Sequence, residues 1–156
     1  MTQDRYIDDL ERELLLFSRH HLSLKQSRPG QHLERSAYLL LTRLETDGSM
    51  SLRELAEAFR LDISTINRQV ATLLKNGLVE RFADPQGGMA RRLRPTEAGL
   101  DLLAADRERS REGVAMVVTD WPQERIAAFA ELLTRFNIDI EALEGNPWPR
   151  DRDARD

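Results

Sequence analysis

Six side chains between Ile63 and Leu74 have the chemistry to recognise the edges of nucleic-acid bases: Ser64, Thr65, Asn67, Arg68, Gln69 and Thr72. A guanidinium can donate a pair of bonds to guanine, a carboxamide can bridge adenine, and a hydroxyl can serve either base. The same stretch holds no acidic residue and no basic one besides Arg68. A solvated helix face is usually rich in Glu and Lys, so this composition favours a reading surface for base edges.

Those six side chains reach one partner together only if a helix presents them. Ile63, Ile66, Val70, Leu73 and Leu74 recur at helical spacing, which predicts an apolar stripe committed to a core and leaves the polar set outside. Leu52, Leu55, Ala56 and Phe59 predict a shorter helix just before it, with a tight corner over Arg60 to Asp62. Ser51 and Glu54 have the spacing of a capping box, Asp62 stands where the second helix needs an N-cap, and Gly77 suits a left-handed stop. Two short helices at a corner, the second carrying amides, hydroxyls and one guanidinium, have the composition of a helix-turn-helix reader.

The flanks supply what the pair lacks. A helix from about Leu33 to Thr46-Asp47-Gly48, with Leu33, Ala37, Leu40, Leu41 and Leu44 on one side, completes a three-helix core. LVERF and ARRLR predict two strands around the turn ADPQGG, a hairpin placed as a wing whose work is to touch the backbone or minor groove. Arg53, Lys75, Gln86, Gly87, Gly88, Arg91 and Arg92 are the candidates for backbone and wing contacts. Gly87-Gly88 lacks the strand, glycine run and helix in the order that a nucleotide loop requires.

Both ends of the chain are amphipathic. Tyr6, Leu10, Leu14 and Phe17 stripe a first helix that Ser27-Arg28-Pro29-Gly30 breaks. Thr96 starts a later helix with Ala98, Leu102 and Ala105 on a face that fades across the charged run Asp106 to Glu112. After a cap at Asp120, Ile126, Phe129, Leu133, Phe136 and Ile140 repeat with the spacing of a coiled-coil seam. The winged module already has its own core, so this seam, with Leu10, Leu14 and Phe17, predicts a two-fold homodimer. The expected plan is residues 1–30 and 97–145 as dimerisation helices, 31–96 as the winged module and 146–156 as a mobile tail. The fold class is mainly α with a small β-hairpin wing.

Net charge is −4, yet residues 49–96 hold eight Lys/Arg against five Asp/Glu. Phosphate attraction is local, screened over about 8 Å at physiological salt, so a basic module on an acidic body can still bind double-stranded DNA. Cysteine is absent, which excludes disulfides, thiolate metal sites and thiol nucleophiles. An acidic N-terminus and the lack of a long apolar run predict a cytoplasmic protein without membrane attachment. The histidines, His20, His21 and His32, come with no HxxxH or GxSxG pattern, and neither an enzyme nor a cofactor is expected. A metal-responsive regulator built on that trio is one alternative, lacking a thiolate and a defined fourth ligand. A winged helix used for protein binding is another; it needs an acidic or apolar outer face between Ile63 and Lys75.

In LRELAEAFRLDISTINRQVATLLKNGLVER, the hairpin ADPQGGMARRLRPT and the following TEAG, with amphipathic helices on both sides, the chain resembles the MarR (multiple antibiotic resistance regulator) family of bacterial transcription regulators. The resemblance runs from Ile7 to about Leu143. It implies a winged helix-turn-helix homodimer on a pseudo-palindromic operator, usually a repressor. It also implies release by a small aromatic or anionic ligand held between reader and dimerisation helices. One departure stands out. The family's hairpin commonly carries an Asp, then an Arg two residues on at the tip, and those positions fall on Gly87 and Met89 here, with Pro95 where a Leu is usual. Arg91 and Arg92, or Arg91 oriented by Asp84, are the candidates to replace that arginine.

Overall fold

A computed structural model describes residues 2–27 and 32–150. The expected break at Arg28-Pro29-Gly30, the side chain of His21 and residues 151–156 lie outside the described part. The chain divides into two units, Met1–Gln31 and His32–Asp156. The described part of the first is helix α1 (Thr2–Ser27), with Tyr6, Ile7, Leu10, Leu15 and Phe17 exposed and Leu14 half-buried.

The second unit runs α2 (Arg35–Asp47), β1 (Met50–Ser51), α3 (Leu52–Phe59), α4 (Ile63–Lys75), β2 (Val79–Ala83), β3 (Arg91–Pro95), α5 (Glu97–Val117) and α6 (Gln123–Glu144). Its antiparallel sheet has the order β1-β3-β2. The architecture is mainly helical with a small sheet, the winged helix-turn-helix expected. The sheet has one strand more than the predicted hairpin, because Met50 and Ser51 pair with Leu93 and Arg92.

The core lies where α2, α3, α4, β3 and α5 converge. Leu40, Leu41, Leu44, Leu55, Ile66, Val70, Leu73, Leu93 and Leu103 are each at most 1% exposed. Burial of that kind stabilises by roughly 1.5–3 kcal/mol per side chain. Ile63, expected in the apolar stripe, is instead 56% exposed, because the stripe meets the core only from Ile66 onward.

Local signals fix the corners. Ser51 and Glu54 form the reciprocal capping box, with Glu54 N–H donating to Ser51 Oγ at 3.1 Å and Ser51 N–H to Glu54 Oε2 at 2.8 Å. Asp62 occupies the N-cap of α4, but its carboxylate makes no capping bond. Gly77 takes the left-handed conformation, φ 69°, just past α4. Thr96 caps α5, accepting from Gly99 N–H at 3.1 Å while its hydroxyl donates to Gly77 O at 2.6 Å. The last helix departs from expectation, since Pro122 and not Asp120 is its N-cap.

Asp106, the first residue of the charged run on α5, is fully buried. Its carboxylate accepts from the backbone N–H of His32 at 3.1 Å and of Leu33 at 2.7 Å, tying the entry of α2 to α5. Asp106→Ala strands those amides, and a buried unpaired donor costs about 1–3 kcal/mol. The expected result is a loss of about 2–4 kcal/mol in urea unfolding, with Asp106→Asn recovering part of it through its remaining carbonyl acceptor.

Residues 146–150 also depart from expectation. The sequence places them in a mobile tail, yet they fold back onto α2 and α3. Asn146 Nδ2 donates to Ala58 O at 2.8 Å, the Trp148 ring meets Phe59 edge to face at 5.6 Å, and Arg150 pairs with Glu141 through both carboxylate oxygens. The Arg150 guanidinium, aided by the Trp148 amide, lowers the Glu141 carboxyl to about 2. A depressed carboxyl stabilises the fold above its ordinary range, and that contribution fades as pH falls from about 4.5 toward 2. Tryptophan emission in an acid titration should therefore report the tail in place at pH 5 and leaving only below pH 4.

Candidate nucleic-acid interface

With Ile66, Val70 and Leu73 buried, the rotation of α4 is fixed and its outer face is defined. Ser64, Asn67, Arg68 and Thr72 stand exposed on it, and Thr65 and Gln69 are half-buried at its edges. All six candidate base readers therefore retain access to solvent. Arg68 Nη2 donates to Thr65 Oγ1 at 3.4 Å, which leans the guanidinium toward the N-terminal end of α4 and leaves its other N–H groups unoccupied by that bond. The Thr72 hydroxyl turns back to Arg68 O at 3.3 Å, so its donor is partly used within the helix. Two apolar side chains that sequence reasoning left out of the site, Leu61 and Ile63, are exposed beside Ser64. They suit contact with a thymine methyl.

Positive charge flanks this face. Lys75 is exposed in the last turn of α4, and Arg53 meets Glu57 at 3.5 Å with side chains 85% and 72% exposed. So open an ion pair is worth little, and Arg53 can exchange Glu57 for a phosphate at small cost.

The wing sorts its arginines into two kinds. Arg92 is committed: its guanidinium donates to Ser49 Oγ at 3.0 Å and Ser49 O at 2.6 Å and pairs with Glu54 at 3.1 Å. It fastens β3 to β1 and to the capping box of α3, so the expected phosphate role for Arg92 gives way to a structural one. Arg94 pairs with Glu80 at 2.6 Å and lies 4.7 Å over the Phe82 ring, but its side chain stays half exposed. Arg91 and Arg81 are exposed and, among the described residues, make no ion pair, and strand alternation in the register Arg81↔Leu93 and Ala83↔Arg91 puts them on one face. Arg81 was missed in the sequence; the signal was its parity with Arg91 once the register is known.

At the tip, Asp84 does not orient Arg91. It accepts from the Gln86 N–H at 2.9 Å and closes the turn, with Gly87 N–H bonded to Asp84 O and Gly87 at φ 79°. Gly88 packs against the same carboxylate, and Met89 projects fully into solvent. The double variant Arg81→Ala/Arg91→Ala is expected to weaken binding to all duplex sequences alike and to reduce the slope of log K against log salt by about 1 for each phosphate no longer neutralised. Arg92→Ala should leave that slope in place and lower the melting temperature instead, which salt titration and calorimetry separate.

Of the histidine trio, His20 and His32 are exposed, and among the described residues no group of three or more His, Asp or Glu is placed to hold a metal ion. No described helix is long and apolar enough to cross a membrane.

Known proteins share this fold. The model of the MarR family matches residues 33–87, the span from α2 through the wing turn. An uncharacterised HTH-type transcriptional regulator of Bacillus subtilis, YxaD, is 40% identical over 139 residues, covering 88% of this chain and 96% of that protein. Among solved structures, a cysteine-to-serine mutant of Escherichia coli MarR complexed with operator DNA has the same fold, with a TM-score of 0.65 at 15% identity, covering 83% of this chain and 94% of that one. The PcaV transcriptional regulator of Streptomyces coelicolor, in complex with its natural ligand, is 26% identical with a TM-score of 0.61, covering 82% of this chain and 89% of that one.

Proposed function

The chain belongs to the MarR family of transcription regulators, and from that premise we propose that it is a ligand-responsive repressor that binds a pseudo-palindromic operator as a homodimer. Thr65, Asn67, Arg68 and Gln69 read bases in the major groove, helped by Ser64 and Thr72. Arg53, Lys75, Arg81 and Arg91 hold phosphates, and Gln86, Gly87 and Gly88 carry the wing against the adjacent groove. The observation that carries this reading is the outer face of α4: base-reading side chains without one acidic residue, on a helix whose rotation the buried Ile66, Val70 and Leu73 fix. A protein-binding winged helix would need that face acidic or apolar.

The dimer is supported by apolar surface that one copy leaves open. Ile126, Phe129, Leu133 and Ile140 on α6 are all at least 37% exposed, Phe136 is only half-buried, and Leu10, Leu14 and Phe17 on α1 are at least partly exposed. Two readers then engage half-sites about one helical turn apart. That PcaV was solved with its natural ligand supports a ligand for this chain too; its small aromatic or anionic character rests on the family resemblance.

Selection of bound duplexes from a random pool tests binding, symmetry and spacing together. A two-fold related pair of half-sites centred about 10 base pairs apart supports the reading, and recovery of no preferred sequence overturns it. Sedimentation addresses the dimer, which an 18.0 kDa particle at micromolar concentration would sink. Release of the selected duplex by phenolic or benzoate-type acids tests the ligand.

A further inference from the structure

Among the described residues α6 buries no side chain of its own. What attaches its C-terminal end to the helix-turn-helix is the six-residue run after it, GNPWPR. Gly145 ends the helix in the left-handed conformation, φ 63°, and turns the chain toward α3. Asn146 then donates to Ala58 O in the last turn of α3, where the carbonyls need partners from outside the helix. Trp148 sits with its ring edge to face with Phe59 at 5.6 Å, while the Arg43 guanidinium of α2 lies 5.1 Å over the ring. Arg43 is itself steadied by Asp47 at 2.7 Å. The far end is closed by Glu141 on α6, which accepts from the Trp148 N–H at 3.1 Å and from Arg150 through both oxygens. Pro147 and Pro149 flank the tryptophan and restrict φ on both sides, so ordering the run costs less entropy than an unrestrained tail would.

The residues gripped are significant. Ala58 and Phe59 end the helix that leads through the Arg60 corner directly into the reader α4. We infer that residues 145–150 form a clasp, with Trp148 and Asn146 as positioning residues, that fixes α4 relative to α6 and so sets the distance between the two reading helices of a dimer. This rests on the operator-binding reading given above. It assigns the spacing of half-sites, not the identity of their bases, to a segment remote from the DNA-facing side chains.

The test uses the full chain and a series of duplexes carrying the selected half-sites with the centre lengthened or shortened by one or two base pairs. The wild type should favour one spacing over its neighbours by about tenfold or more. Trp148→Ala, shown folded by circular dichroism, should keep the same half-site bases while that preference falls to about threefold or less. Trp148→Phe, which retains an aromatic ring against Phe59 and Arg43, should restore most of it. A folded Trp148→Ala with the wild-type spacing profile overturns the clasp. Should the wild type favour no duplex at all, the operator reading fails separately, and the clasp is then judged by fluorescence. In a Trp121→Phe background Trp148 is the single tryptophan. Blue-shifted emission shielded from acrylamide supports the clasp, and emission and quenching equal to the urea-unfolded chain overturn it.

Discussion

Gly99→Ala should destabilise the winged unit by about 2–3 kcal/mol, seen as a fall in melting temperature of roughly 5–10 °C. Gly99 lies buried in the first turn of α5, where the helix passes over the end of α4 and the start of the wing. A Cβ built on it would stand 2.1 Å from Leu78 O and 3.0 Å from the Leu78 carbonyl carbon, well inside contact distance. The obstacle is backbone, and Leu78 O already accepts from Thr96 N–H at 3.0 Å, so it cannot retreat without breaking the junction that Thr96 organises. Helix propensity alone would make the substitution favourable by about 1 kcal/mol. The sign therefore decides between local preference and tertiary approach, and the clash should win. Ala98→Gly, one residue earlier and exposed, makes the control: it should cost only about 1 kcal/mol, the propensity term by itself.

Gly99 also marks where sequence reasoning stops. The Ser51–Glu54 box, the Thr96 cap and the left-handed Gly77 were legible because each involves partners three residues apart or a single backbone conformation. The outer face of α4 was legible for a related reason, since helical periodicity fixes which side chains oppose Ile66, Val70 and Leu73. What escaped was set by distant partners. Met50 and Ser51 are a strand only because Leu93 and Arg92, about forty residues on, pair with them. Asp106 is buried because the amides of His32 and Leu33 meet it there; nothing within its own charged run distinguishes it from its neighbours. Arg92 and Arg91 are adjacent and chemically identical, and only the register of β3 gives one to Ser49 and Glu54 and the other to solvent. The polar, proline-containing composition of residues 146–150 reads as a tail until Ala58 and Phe59 are brought beside it.

Arg68→Ala should produce the largest loss of operator binding of any single substitution on α4. A guanidinium set bidentate against guanine is worth about 1–3 kcal/mol of discrimination, and a two-fold dimer loses it twice, so the affinity for the full operator should drop by about 2–6 kcal/mol. Loss of charge and loss of base readout are separable. Arg68→Lys keeps the positive charge but not the planar fork, so it should preserve the salt dependence of binding while the preference for guanine at the contacted position relaxes. Thr65→Val removes the acceptor that leans the guanidinium along α4, and it should cost less than Arg68→Ala because the arginine can still reach the groove from an unrestrained rotamer. Titrating the three variants against the selected duplex, and against duplexes altered at one base pair, ranks them. If Arg68→Ala binds the operator with wild-type affinity and base preference, the reading face is not this side of α4. Because the buried Ile66, Val70 and Leu73 leave α4 no other polar side to offer, that result would move base recognition off the helix altogether and onto the wing.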